Sequence, residues 1–182
     1  ENTLEHGVAI IATGGEEYKP DEYLYGSNPR VLTHLELDRL FSTDDPSITE
    51  LDSVVFIQCV GSRQPDRPYC SRVCCTHTVE SALELKRRNP EIEVYVLYRD
   101  MRTYGEREEL YNRARKQGVI FIRYDLENKP VVTETDGSIE IEVRDPILDS
   151  KIRLRPDLLT LATAIVPSGG NDLASLFKIS KD

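Results

Sequence analysis

Between Ser53 and Tyr124 the chain alternates strand-like and helix-like segments, and this constrains its fold more than any other feature. Ser53 to Cys59 (SVVFIQC) reads as a buried strand, and Val73 to Arg88 as a helix with Val79, Ala82, Leu83 and Leu85 on its inner face. Glu93 to Tyr98 is a second strand, Tyr104 to Gln117 a second helix and Val119 to Tyr124 a third strand. The second helix carries Glu106, Glu108 and Glu109 at its start and Arg113, Arg115 and Lys116 at its end, with Gly118 as the stop, which suits a helix dipole. Such an order predicts an α/β, Rossmann-like parallel sheet with helices on both faces.

Further along, Val131 to Thr135 and Ile139 to Arg144 flank Asp136-Gly137, a hairpin signal, and Lys151 to Arg155 adds a third alternating strand. An antiparallel extension is therefore expected over 131–155. Leu158 to Ile165 is apolar and is expected to rejoin the main sheet. Residues 16–50 are polar and turn-rich and read as a linker, within which Thr33 to Phe41 is expected to cap and form a short helix. The expected organisation is an edge segment and linker over 1–50, a Rossmann-like domain over 51–157, and a return strand and tail over 158–182. His6 to Ala12 reads as a buried strand needing neighbours on both faces. With Glu1 in place of a starting methionine, it suggests a piece of a larger protein.

All four cysteines of the 182 residues fall in the first strand–helix connection, as Cys59, Cys70, Cys74 and Cys75. Clustered thiols in a chain without a signal peptide suggest metal or redox chemistry in a reducing compartment, and a cytoplasmic location is expected. The net charge of −9 argues against nucleic acid or an anionic membrane surface as partner. No apolar run approaches the roughly 20 residues of a membrane helix, so no membrane insertion is expected.

The spacing is C-x10-C-x3-C-C, without the paired knuckles usual for zinc. Adjacent thiolates reach a single small ion awkwardly, whereas a cubane cluster offers a separate iron to each of Cys74 and Cys75. A structural zinc site, a docking module and a dithiol–disulfide pair (Cys70 with Cys74, or Cys74 with Cys75, activated by the helix start) are the alternatives. The position, outside the first strand and at a helix N-terminus, is where a dinucleotide pyrophosphate binds. A nicotinamide site, and with it an NAD(P)-binding domain, is the remaining alternative. Of the G-x-G-x-x-G it needs, the turn keeps Gly61 alone. Arg63, Arg67 and Arg72 could compensate the charge of an anionic cluster. Arg99 and Asp100 end the second strand and are expected to belong to a loop shaped by Arg102 and Tyr104. His77 is expected on the helix surface and not as a ligand.

The layout resembles the nicotinamide domain of two-dinucleotide flavoproteins of the thioredoxin reductase type. Ala12-Thr13-Gly14 and Ala162-Thr163-Ala164-Ile165-Val166-Pro167 resemble the segments that return the chain to the flavin domain there, with Ala164 where glycine is usual. Gln58-Cys59-Val60-Gly61-Ser62-Arg63, Pro68 to Cys75 and Tyr95 to Gly105 together resemble the iron–sulfur flavoprotein of heterodisulfide reductase, its A subunit, with relatives in sulfate reducers. The resemblance implies an oxidoreductase in which Cys59, Cys70, Cys74 and Cys75 hold a [4Fe–4S] cluster. It implies that electrons pass between this cluster and FAD, toward reduction of a disulfide or sulfur compound. Thr13, Gly14 and Thr163 are the FAD contacts it suggests, with no catalytic side chain. The implied partners are the rest of the flavoprotein chain and the other subunits of the complex, and the piece alone is expected to be inactive.

Overall fold

A computed structural model describes residues 5–147, 149–168 and 171–178. In chain order the elements are β1 (Gly15–Glu17), β2 (Val31–Thr33), α1 (His34–Ser42), a 3-10 turn (Pro46–Glu50), β3 (Ser53–Val60), α2 (Cys74–Arg88), β4 (Glu93–Tyr98), α3 (Arg107–Lys116), β5 (Ile120–Arg123), β6 (Val131–Thr135), β7 (Ser138–Asp145), β8 (Ser150–Leu154), β9 (Leu158–Thr163), β10 (Ile165–Pro167) and α4 (Asn171–Leu176). They form two compact units, one of Lys19–Ala164 and one of Glu1–Tyr18 with Ile165–Asp182.

The larger unit is built on a parallel sheet of order β2-β9-β3-β4-β5. Side chains of a strand alternate between faces, so β3 feeds two cores. Val54 and Phe56 pack with Leu37 of α1, Val79, Ala82, Leu83 and Leu85 of α2, and Ala114 of α3. Val55 and Ile57 pack with Ile139, Ile141 and Val143 of β7 and with Leu159 and Leu161 of β9. The parallel sheet and the hairpin thus stand as expected, with one correction. All three helices lie on one face, and the antiparallel sheet β6-β7-β8 covers the other. An amphipathic three-stranded sheet supplies the same apolar cover as a second helical layer.

Residues 31–50, expected as linker, supply β2, α1 and the buried Ile48 to this unit. Short apolar runs such as Val31-Leu32 carry too little periodicity to announce an edge strand. The predicted helix is present as α1, and Glu36 closes its start by accepting from the Thr33 N–H at 2.8 Å. At the opposite end of the sheet, Asp157 ties the beginnings of β3 and β9. Its carboxylate accepts from the N–H groups of Asp52 (3.0 Å) and Ser53 (2.9 Å).

The α1–α2 contact holds a buried polar chain. His34 Nε2 lies 2.8 Å from Thr78 Oγ1, and the Gln58 amide donates to the same hydroxyl. The His77 ring lies against His34, tilted by 41° with centroids 4.3 Å apart, and pairs with Asp38 at 2.9 Å. It is part of an interhelical contact and not only a surface residue. Burial, with His77 alongside, holds the His34 pKa down at about 3.

In the smaller unit β1 and β10 pair antiparallel, and α4 follows. The strand expected over His6 to Ala12 is corrected. This segment has no strand partner among the described residues, with Val8 79% and Ile10 88% exposed. An apolar strand forms only where neighbours cover it, and the ribbon's pairing is taken by Gly15–Glu17. Among the described residues no helix is long and apolar enough to cross a membrane.

Two expectations follow. Phe56 is fully buried between sheet and helices, and Phe56→Ala should cost about 3–5 kcal/mol of unfolding free energy, measured by urea titration. His34 stays neutral in the folded state, while the unfolded chain takes up a proton below about pH 6.5. Stability should therefore fall on acidification from pH 6.5 toward 5, by up to about 1.4 kcal/mol per pH unit. His34→Gln should flatten that slope; an unchanged slope in urea titrations across this range would exclude His34 as its source.

Candidate metal centre

Cys59 is placed by a break in β3. The register against β9 shifts between Ile57 and Val60, and Cys59 takes φ +62°, a left-handed conformation unusual for a residue with a Cβ. A bulge of this kind re-aims a side chain at the end of a strand. Arg63 (φ +55°) and Arg72 (φ +65°) are left-handed too, so three such residues fall in the segment that carries the cysteines. Conformations of this kind persist only where the surroundings over-determine them.

The surroundings do so here. Arg99, buried at 9% exposure, donates to the carbonyls of Ser62 and Arg63, both at 2.9 Å. Arg67 Nε donates to the Gly61 carbonyl at 2.6 Å, and the Arg63 N–H to the Tyr69 carbonyl at 3.0 Å. Beneath them, the buried Tyr124 hydroxyl donates to the Gln58 carbonyl at 2.6 Å. Arg99 belongs to the loop as expected, but its clamp on the cysteine segment is not announced by the sequence. The available signal is a charged residue closing an apolar strand. Tyr124 gives no signal that separates it from a core aromatic.

The four thiols, all free, line one pocket together with Arg63, Arg72, Asp100 and Arg102. It lies where β9, β3 and β4 end, at the crevice where the strand order reverses in such sheets. Cys74 and Cys75 open α2 and diverge. The Cys74 thiol donates to the Thr163 carbonyl at the end of β9 (3.6 Å), and the Cys75 thiol to the Asp100 carbonyl beyond β4 (3.7 Å). Cys70 Sγ accepts from the Arg72 N–H at 3.4 Å. The start of α2 has no side-chain cap and no acid in its first turn, which leaves its partial positive charge to the thiols.

Electrostatics here runs against free thiolates. Burial, then the neighbouring thiols Cys75, Cys59 and Cys70, push the Cys74 pKa up to about 12. Cys75 is pushed up as well, chiefly by burial. The expectation that the helix start lowers a thiol pKa is therefore corrected at both adjacent cysteines, because desolvation exceeds the dipole. Four soft donors converge here, and Cys59 and Cys70 help to push up both Cys74 and Cys75; such a set calls for a cationic centre, so it fits a thiolate-bound metal group. Among the described residues no three or more His, Cys, Asp or Glu side chains are placed to hold a single metal ion.

Thr163, at the end of β9, reaches the pocket through its carbonyl. Thr13 and Gly14 lie in the smaller unit, where the Thr13 carbonyl accepts from Ser168 Oγ at 2.5 Å and Gly14 has φ +70°.

No protein-family model matches the chain. It is 34% identical, over 98% of its length, to the A subunit of the H(2):CoB-CoM heterodisulfide,ferredoxin reductase of Methanothermobacter marburgensis, and spans 29% of that protein. It is 37% identical, over 90% of its length, to the first iron-sulfur A subunit of the CoB–CoM heterodisulfide reductase of Methanopyrus kandleri, spanning 27% of it. Among solved structures it resembles a NAD-dependent persulfide reductase from A. fulgidus (TM-score 0.56, 18% identity, 91% of this chain and 27% of that one). It also resembles the thioredoxin reductase of Lactococcus lactis (TM-score 0.52, 18% identity, 88% and 46%). These two likenesses are of fold. Over the segment that it spans, somewhat under a third of those relatives, the chain belongs to the family of heterodisulfide reductase A subunits.

Proposed function

We propose that this chain is the electron-transfer segment of an iron–sulfur flavoprotein oxidoreductase, and that Cys59, Cys70, Cys74 and Cys75 hold a [4Fe–4S] cluster in it. The observation that carries the reading is the convergence of four thiols on one pocket at the ends of β9, β3 and β4. The divergence of Cys74 and Cys75 toward Thr163 and Asp100 suits ligands to two different irons. The name of the Methanopyrus relative, an iron-sulfur subunit, supports the same cofactor class.

When bound, such a cluster exchanges single electrons. The chain's own residues do the rest. The bulge at Cys59 and the Arg99 clamp fix the ligands, and burial of Cys75 limits water. The same crevice in related folds takes a dinucleotide pyrophosphate. Here Arg63, Arg67 and the thiols occupy the turn where glycines are needed, which disfavours a nicotinamide there. FAD is the proposed redox neighbour, held largely by other parts of the full-length protein, with Thr13, Gly14 and Thr163 as candidate contacts. Reduction of a disulfide or sulfur compound in a multi-subunit complex is the activity we assign to the whole protein.

In the full-length protein purified without oxygen, Cys74→Ser combined with Cys75→Ser should lower bound iron and acid-labile sulfide by about four each. An unchanged iron content, or loss of one zinc, would favour a structural zinc module instead. The 182-residue chain alone, mixed with FAD and desalted, should retain far less than one flavin per chain; stoichiometric retention would place the flavin site within these residues.

A further inference from the structure

We infer that Arg63, held by Asp100, is the positioning residue that sets the reduction potential of the centre at Cys59. This inference rests on the cluster reading above. Arg63 Nη1 donates to Cys59 Sγ at 3.8 Å, and its other terminal nitrogen pairs with Asp100 Oδ2 at 2.5 Å. The side chain is partly buried, at 19% exposure, so salt screens the contact less than it would at an open surface.

The backbone sets this aim. Arg63 keeps its left-handed conformation between two anchors, its N–H on Tyr69 and its carbonyl under Arg99. The forked guanidinium presents a separate nitrogen to the sulfur and to the carboxylate, whereas an ammonium has to reach both from one atom. Asp100 is the second support, because its own backbone carbonyl lies 3.7 Å from Cys75 Sγ. The Arg63–Asp100 pair therefore joins the Cys59 and Cys75 sides of the pocket. Arg123 (3.9 Å) and Arg102 (4.0 Å) also approach the Asp100 carboxylate. Arg67, by contrast, is engaged by Asp66 and the Gly61 carbonyl.

A charged N–H donor on a ligating sulfur withdraws negative charge and favours the reduced state. Asp100 acts in the opposite sense by partly neutralising the same guanidinium. Neutralising Arg63 and neutralising Asp100 should therefore shift the potential in opposite directions, which a purely structural role would not produce.

The test is a redox titration of the full-length protein, purified without oxygen and followed by the paramagnetic signal of this centre, with iron and sulfide measured in parallel. Arg63→Gln should lower the midpoint potential by about 59 mV, a tenfold change in a one-electron equilibrium. Asp100→Asn should raise it, and Arg63→Lys should fall between Arg63→Gln and the wild type. An unchanged potential in Arg63→Gln, or shifts of the same sign in Arg63→Gln and Asp100→Asn, would overturn the inference. Should Arg63→Gln fail to load iron, Asp100→Asn decides, and no rise in its potential counts against the inference. A wild-type protein whose iron does not depend on the four cysteines would instead overturn the cluster reading.

Discussion

The pocket depends on the burial of β3. Val54, Val55, Phe56 and Ile57 are all fully buried, and β4 and β9 occupy both of its edges. A strand sealed on both faces and both edges cannot slip without turning its apolar side chains to the wrong layer. Its carboxyl end is thereby a fixed point, and Cys59 sits there on a bulge that aims it into the crevice. The other three thiols are referred to that point through the Arg99 clamp on the loop and the first turn of α2.

Elements with strong local patterns were legible in the sequence. β4 and β6 have the expected bounds, β3 and α2 differ by one residue at one end, and the 131–155 extension is present as β6-β7-β8. Features set by long-range context were not legible. Which layer covers the second face depends on where the hairpin folds back, and no periodicity records it. Val31-Leu32-Thr33 becomes a sheet edge only because β9 lies beside it. His6 to Ala12 shows the converse, a strand-like composition with no strand partner among the described residues.

The site divides in the same way. The spacing of the cysteines and their position at the first strand–helix turn pointed to one pocket, and the structure brings them to one. The environment of the thiols could not be read from position alone. A helix start suggests a lowered thiol pKa, but Cys74, half-buried, and Cys75, buried, lose solvation beside other thiols and are pushed up instead. Arg99, Tyr124 and the His34–Thr78–Gln58 chain act through backbone carbonyls or buried partners that lie far off in sequence.

The order of the sheet also has a consequence for the time at which the pocket comes into being. β9 lies between β2 and β3, yet it is the last of the five strands in the chain. The Asp157 clamp joins it to the start of β3 across 104 residues, and its end supplies the carbonyl that meets Cys74. During synthesis the cysteines emerge long before the wall that completes their surroundings. Until then the β3 strand that Cys59 ends lacks its β9 neighbour. Assembly of the centre is thus tied to a late, long-range closure rather than to the local strand–helix unit that carries the ligands.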